Sequence, residues 1–239
     1  MTTTVDVDSL ISEARSLHLM DGLMDHMFGL LSENKKEKIP RIAQERTRYL
    51  TLITENIRGE QNASAILRTA EGLGIQDVHL IESQYTAGVN QEISKGTRRW
   101  LDVHRHPISG QEAAIWIKQR GYTLVATVPE NEGIPFDQIP IDRPMALLLG
   151  NEQEGITKEI IPMADVKVTI PMFGFVESFN VSVAAGIMAQ DLITRIRKEL
   201  PPERWRLTSD ERRDLMLKWA IRSIRNGDSI ANHWIQKNR

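Results

Sequence analysis

Apolar residues follow two different spacings along the chain, and these spacings divide it into three segments. In residues 1–48 they recur every three or four positions, as at Leu10, Ala14 and Leu17, which predicts amphipathic helices. In residues 49–197, short apolar runs alternate with helical patterns, and this βαβ rhythm predicts a mainly parallel α/β sheet with helices on both faces. Pro201-Pro202 marks the start of a basic helical extension over residues 198–239.

The middle segment carries most of the predicted secondary structure. Apolar runs predict strands at residues 50–54, 78–81, 123–128, 145–149 and 166–170. Helical patterns cover residues 63–73, 111–120, 157–163 and 181–196. The last of these helices has no charged residue before Asp191, so it should be deeply buried.

Capping residues predict where the helices of the middle segment begin and end. The carboxamide of Asn62 is expected to cap the helix that Gly74 ends, and Gly121 ends the next helix.

Two further helix boundaries are predicted in the outer segments. Because residues 34–38 interrupt the apolar pattern, Pro40 is expected in the first turn of a short helix that reaches Arg48. Ser209 is expected to cap a later helix without a capping box, since Arg212 follows three residues on.

Composition limits the class of protein. The chain has 239 residues and no cysteine, so disulfides and thiolate metal sites are excluded. No apolar run approaches the roughly 20 residues of a membrane span. The first ten residues have no basic region, which argues against a secretory signal, and a cytoplasmic protein is expected.

Charge is distributed unevenly, although the net charge is only −2. Residues 107–194 hold five basic and eleven acidic side chains, whereas residues 195–239 hold twelve basic and six acidic ones. Such asymmetry is typical of a catalytic body with extensions that grip phosphates. Solvated helix faces would give the same pattern.

Three clusters could carry chemistry, at residues 62–70, 150–155 and 170–183. The second follows a buried strand, where loops of parallel sheets bind ligands, and its glycines allow close backbone approach. In the third, aromatic and thioether side chains, including Met172, suit the face of an adenine. Taken singly, each cluster also fits a structural role as a capped helix, a plain turn or a core-packing loop.

In this order, the clusters resemble the three signature motifs of the SpoU-type SPOUT RNA 2'-O-ribose methyltransferases, over roughly residues 50–196. Residues 95–101 resemble the branch that methylates guanosine in tRNA. The resemblance implies a C-terminal deep trefoil knot, a homodimer with a shared active site, S-adenosyl-L-methionine as cofactor and guanosine 18 of the tRNA D-loop as target. The donor is already activated, so the reaction needs no metal.

The resemblance also assigns residues to roles. Catalytic positions fall on Asn62, Arg68, Glu152, Ser178 and Asn180, and cofactor contacts fall on Thr127, Gly150, Ile170 and Phe179. A guanidinium stays protonated in proteins, so Arg68 is expected to grip the target phosphate while Glu152 orients it or accepts the proton. Phosphate contacts are expected from Arg41, Arg46, Arg98, Arg99, Arg212, Arg213 and Arg222.

Two alternatives remain open at the level of the sequence. The same chemistry could act on ribosomal RNA, or the chain could be a catalytically silent RNA-binding protein of the same fold. An RNA-binding role is least supported for the N-terminal segment, because Arg15 is the one lysine or arginine in residues 1–33.

Overall fold

The computed structural model describes residues 6–84, 96–130 and 132–239, so Lys95 of the segment that resembles the tRNA branch lies outside the described residues. It divides into two compact units, one of residues 47–206 and one that combines residues 1–46 with residues 207–239. The two terminal extensions, which the sequence treats as separate segments, therefore fold into a single helical unit.

The larger unit is built on a sheet in which every pairing between strands is parallel, as predicted. Its strand order is β3-β2-β1-β6-β4-β7-β5. The strands are β1 (Leu50–Glu55), β2 (Asp77–Ile81), β3 (Asp102–His106), β4 (Thr123–Thr127), β5 (Ile134–Pro135), β6 (Met145–Leu149) and β7 (Val166–Thr169). The order does not by itself decide how the chain is threaded, so the trefoil knot stays a prediction.

In the parts of the chain that the structure describes, the α-helices are numbered in chain order, and four of them belong to the sheet unit. They are α1 (Val7–Ser16), α2 (Met20–Gly29), α3 (Glu33–Ala43), α4 (Glu60–Leu73), α5 (Gly110–Gln119), α6 (Val181–Glu199), α7 (Pro202–Trp205), α8 (Ser209–Ser223) and α9 (Gly227–Lys237). Three short 3₁₀ helices lie at Arg98–Trp100, Phe136–Gln138 and Ile161–Met163. None of the helices in the described ranges is long and apolar enough to cross a membrane.

Helices cover both faces of the sheet, as predicted. Buried side chains of α4 and α6, such as Ile66 and Leu192, pack on one face together with Leu52 and Leu147. On the other face, Ile117 of α5 joins a second core. α6 buries one face, which includes Ala185, Met188 and Leu192, but Val183 in the uncharged first half is 47% exposed, so this half is less buried than predicted.

The register brings the carboxyl ends of four neighbouring strands to one edge. Thr54 of β1 pairs with Leu149 of β6, and Leu148 of β6 pairs with Ala126 of β4. Thr127 of β4 then pairs with Val168 of β7. Loops that follow these strands are thereby held next to one another.

In the helical unit, α8 lies at the centre and contacts α1, α2, α3 and α9. Its buried residues include Leu217, Trp219 and Ile221. Arg46 is also buried here, 1% exposed, with its guanidinium carbon 5.2 Å from the centre of the Trp219 ring. The buried side chains of α8 thus form the core of this unit.

Two predicted boundaries in the helical unit are wrong. The polar run at residues 34–38 begins α3 rather than breaking it, because the amides of Lys35 and Lys36 donate to the Ser32 carbonyl. Pro40 lies inside this helix and removes one hydrogen bond near its end. The cap of α8 is Thr208, one residue before Ser209, and Glu211 completes a capping box.

Three predictions in the sheet unit also need correction. Residues 157–163 form only the 3₁₀ turn Ile161–Met163, since the amide and hydroxyl of Thr157 donate to Glu55 and Pro162 lacks an N–H. The sequence did not predict β3 or the two-residue β5. At the start of α4 the cap is Gly59, with φ +83°, and Asn62 is the third residue of the helix, within its first turn.

Candidate active site

Asn62 contacts both of the other motif regions instead of capping its own helix. Its Nδ2 donates a short hydrogen bond to Oε1 of Glu152, and its Oδ1 accepts from Nδ2 of Asn180 at 3.1 Å. Asn62 lies in α4, the helix after β1, whereas Glu152 and Asn180 lie in the connections after β6 and β7. One polar cluster therefore joins side chains that are up to 118 residues apart in sequence.

Glu152 lies in a tight turn that Gly150 makes possible. The backbones of Asn151 and Gly155 bond to each other in both directions, at 3.2 and 3.1 Å, and Asn151 Oδ1 accepts from the amides of Gln153 and Glu154. A Cβ on Gly150 would lie 2.1 Å from the carbonyl carbon of Gly155. Only glycine lets this turn close, and the turn fixes the position of Glu152.

Asn180 connects the third motif to the long buried helix. It is the N-cap of α6, and its Oδ1 accepts from the amide of Ser182 at 2.9 Å and from the hydroxyl of Ser182 at 2.6 Å. Its amide group remains free to donate to Asn62. The cap thus holds the polar cluster on the rigid end of a helix.

A cavity of about 430 Å³ opens at the carboxyl ends of β4, β6 and β7. All five residues predicted to touch a cofactor line it, and so do Glu152 and Ser178. The five are Thr127, Gly150, Ile170, Met172 and Phe179. This volume falls within the roughly 300–1,000 Å³ typical of small-molecule sites.

The walls of the cavity combine apolar surface with negative charge. Apolar side chains such as Leu149, Ile156 and Met188 suit a flat aromatic group. Its acids are Glu130, Glu152, Glu154 and Glu177, and neither lysine nor arginine occurs among the described residues that line it. A ligand that carries both a purine and a cationic centre fits this chemistry.

Comparison with known proteins agrees with this arrangement. The model of the SpoU rRNA Methylase family matches residues 49–190, which include the polar cluster and the cavity. The chain belongs to the SpoU methylase family.

Relatives of this SpoU family member are similar over most of its length. A protein of Borreliella burgdorferi named tRNA (guanosine(18)-2'-O)-methyltransferase is 34% identical over 202 residues, which cover 84% of this chain and 91% of the relative. The protein of the same name in Aquifex aeolicus is 28% identical over 198 residues, which cover 82% of this chain and 92% of the relative.

Solved structures show the same architecture. A TrmH/SpoU tRNA modifying enzyme of A. aeolicus superposes with a TM-score of 0.71 at 28% identity, over 80% of this chain and 98% of that one. The SpoU methyltransferase AviRb of Streptomyces viridochromogenes, solved in complex with the cofactor AdoMet, gives a TM-score of 0.56 at 25% identity, over 65% of this chain and 60% of its own.

Arg68 is exposed on α4 and is separate from the polar cluster. Asn62 and Arg68 are six residues apart, so they point to different sides of the helix. Among the described residues no side chain forms a hydrogen bond or ion pair with its guanidinium. Ser178 is exposed and lines the cavity. The structure of one chain therefore brings together four of the five predicted catalytic residues around the cavity.

The predicted phosphate contacts differ in accessibility. Arg41, Arg98 and Arg99 are exposed, whereas Arg213 pairs with Asp21. Arg212 and Arg222 are partly exposed on α8. The predicted phosphate contact of Arg46 is wrong, because its burial against Trp219 prevents any contact with phosphate.

Two further charged residues at this edge were not predicted from the sequence. Arg58 donates to the side chain of Gln153 and lies 3.3 Å from Oε1 of Glu154. Glu55, at the end of β1, accepts two hydrogen bonds from Thr157. An acid at the end of an otherwise uncharged, buried strand was a signal in the sequence that could have identified Glu55.

Proposed function

We propose that this chain transfers a methyl group from S-adenosyl-L-methionine to the 2'-oxygen of guanosine 18 in tRNA. The observation that carries the proposal is the contact of Asn62, Glu152 and Asn180 beside an acid-lined cavity of cofactor size. The names of the B. burgdorferi and A. aeolicus relatives supply the substrate. A tRNA substrate also implies the cytoplasm as the compartment.

The cavity residues are well suited to hold the cofactor. When bound, S-adenosyl-L-methionine supplies a methyl group that is already activated by a positively charged sulfur. Backbone groups at Gly150 and Ile170 would hold it, and the apolar walls at Met172 and Phe179 would contact the adenine. Glu130 and Glu177 favour the positive charge.

The polar cluster would act on the ribose. A 2'-hydroxyl must lose its proton to become a nucleophile, and Glu152 is the carboxylate in the cluster that can accept it. Asn62 and Asn180 hold that carboxylate and its neighbours through their mutual hydrogen bonds, and Ser178 adds a hydroxyl for the ribose. Positioning the reacting groups within about 3 to 3.5 Å supplies much of the catalysis.

Arg68 is proposed to bind the phosphate next to the target nucleotide. Its exposed guanidinium is available for two parallel hydrogen bonds to phosphate oxygens. The positive charge would also stabilise negative charge on the 2'-oxygen. Arg68→Ala is expected to abolish methyl transfer and to leave cofactor affinity within about twofold, as measured by calorimetry. A large loss of cofactor affinity would contradict this role.

The active site is proposed to be completed in a homodimer. Large apolar side chains next to the cavity are exposed in the single chain, namely Phe173, Phe175, Val176, Phe179 and Val183. Such a patch is typical of an interface between proteins. Arg68 of one subunit would then reach the cavity of the other subunit.

Mixing two inactive variants tests the shared site. Arg68→Ala and Gly150→Ala damage different halves of it, so after subunit exchange half of the dimers are mixed and one of their two sites is intact. Activity should return to roughly a quarter of the wild-type value. Recovery that fails although native mass spectrometry detects mixed dimers would exclude a shared site.

Mapping of methyl groups tests the substrate. The purified protein is incubated with S-adenosyl-L-methionine and tRNA or ribosomal RNA transcripts, and 2'-O-methyl groups are located by mass spectrometry, with Arg68→Ala as the control. Methylation at guanosine 18 of tRNA is expected. Methylation of ribosomal RNA alone would show that the substrate is ribosomal RNA, the substrate that the family's description names. Binding of RNA without methylation would indicate a silent protein.

A further inference from the structure

Two buried polar residues, Glu55 at the end of β1 and Asn56 directly after it, contact the loops on either side of this strand. β1 lies between β2 and β6 in the sheet. Glu55 is 1% exposed and Asn56 is 2% exposed. Their side chains contact Thr157, after β6, and Ser83 and Gln84, after β2.

Glu55 holds the loop after β6 through two hydrogen bonds. One carboxylate oxygen accepts from the backbone amide of Thr157 and the other from its hydroxyl, each at 2.9 Å. The space around the carboxylate is tight, because a Cβ on Gly110 would lie 2.7 Å from Oε1. A buried carboxylate is costly without partners, so these bonds are difficult to replace.

Asn56 holds the loop after β2 in the same way. Its Nδ2 donates to the Ser83 hydroxyl at 3.1 Å, and its Oδ1 accepts from the Gln84 amide at 2.9 Å. Its backbone is in the left-handed region, with φ +49°. Asparagine tolerates this conformation better than other residues with a side chain, but a buried residue in it needs support from its surroundings.

The loop fixed by Glu55 forms one wall of the cavity. Thr157 directly follows Ile156, and residues 149–156 line the cavity. Arg58 and Asn62 contact the same loop, so its position is set from the β1–α4 connection. We infer that Glu55 and Asn56 form a β1 clamp, a pair of positioning residues that fixes the loops after β6 and β2, and that Glu55, through the loop after β6, preorganises the cofactor site. For the identity of the ligand, this inference rests on the proposed function.

Replacement of Thr157 tests the clamp without removing a buried charge. Thr157→Val keeps the shape of the side chain and deletes the hydroxyl that Glu55 accepts from, whereas Thr157→Ser retains that hydroxyl. The matched control is Thr51→Val, elsewhere in β1. It deletes a buried hydrogen bond of 2.8 Å from the Thr51 hydroxyl to the Asp77 carbonyl. Calorimetry measures the Kd for S-adenosyl-L-methionine, and amide hydrogen exchange measures the motion of residues 150–157 without cofactor.

The clamp predicts that Thr157→Val raises the Kd about tenfold, as expected for loss of a hydrogen bond to a charged group. In the Thr157→Val protein, the amides of residues 150–157 should exchange faster than in wild type. Thr157→Ser and Thr51→Val should behave as wild type in both measurements. Asn56→Gly should speed exchange of the Gln84 amide.

Two results would overturn the inference. One is a Thr157→Val protein with unchanged exchange at residues 150–157. The other is faster exchange in this loop with a Kd within twofold of wild type, which would make the clamp irrelevant to the cofactor. If wild-type protein binds no S-adenosyl-L-methionine, the proposed function fails, while the exchange data still decide whether the clamp holds its loops.

Discussion

Acid should destabilise the sheet unit through His79, the buried member of a histidine cluster on β2 and β3. His79 pairs in register with His104, and their rings stack with centres 4.6 Å apart. His79 Nδ1 lies 2.9 Å from His106 Nε2, and the Trp116 ring meets His79 at 5.2 Å. Burial, and then the neighbouring His104, lower the pKa of His79 from 6.5 to about 3, although Asp77 acts in the opposite direction.

The sign and size of the effect follow from this shift. Since the folded protein binds a proton at His79 only near pH 3 while the unfolded chain binds one below 6.5, stability is lost as the pH falls through this range. Each pKa unit corresponds to about 1.36 kcal/mol. Between roughly pH 7 and pH 5, His79 alone should lower the free energy of unfolding by about 2 kcal/mol. His106, whose pKa burial also lowers, adds in the same direction.

Urea unfolding at these two pH values, followed by circular dichroism and fluorescence, measures the loss. His79→Gln removes the titrating group, so the difference between pH 7 and pH 5 should shrink by about 2 kcal/mol compared with wild type. His233→Gln, which removes an exposed histidine of the helical unit, is the control. An equal loss in wild type and His79→Gln would refute this reasoning, whatever the stability of the variant at pH 7.

Three further predictions concern other parts of the molecule. Gly150→Ala should abolish measurable cofactor binding in calorimetry because the new Cβ collides with Gly155, whereas Gly72→Ala, which has open space around it, should bind normally. Thr208→Ala should lower the free energy of unfolding of the helical unit by about 1 kcal/mol in urea titrations; Ser209→Ala should not, and the reverse ranking would reject Thr208 as the cap. Arg41→Ala should reduce the salt dependence of tRNA affinity in filter binding by about one unit of slope, and an unchanged slope would remove Arg41 from the interface.

The sequence predicted the parts of the fold that depend on one dominant local signal. Buried strands such as Met145–Leu149 are short apolar runs, and a parallel sheet follows from their alternation with helices. β3 carries no such signal, because it lies at the sheet edge, most of its residues are only partly buried, and its histidines and Arg105 make it polar. The two residues of β5 are too few for any periodic pattern.

The burial of charged residues was the hardest feature to predict. Arg46 and Trp219 are far apart in sequence, so nothing local distinguishes Arg46 from the exposed Arg41.

Most of the predicted cofactor residues, in contrast, lie at or after the carboxyl ends of neighbouring strands. The resemblance to the family assigned Thr127, Gly150 and Ile170 as cofactor contacts, and the structure places all three at one edge of the sheet, where they line the cavity.

Glu55 and Glu152 illustrate how environment separates the roles of two identical side chains at that edge. Glu55 is fully enclosed, accepts from both donors of Thr157 and has its pKa raised by burial, so it is suited to fixing a loop. Glu152 is exposed, lines the cavity and is held by a single amide of Asn62, so it can exchange that partner for a ribose hydroxyl. A carboxylate that accepts a proton during a reaction must be reachable by the substrate, and of these two acids it is Glu152 that meets this condition for the proposed role. Burial, with Gly110 next to the carboxylate of Glu55, therefore separates the two acids, and a sequence motif does not show this difference.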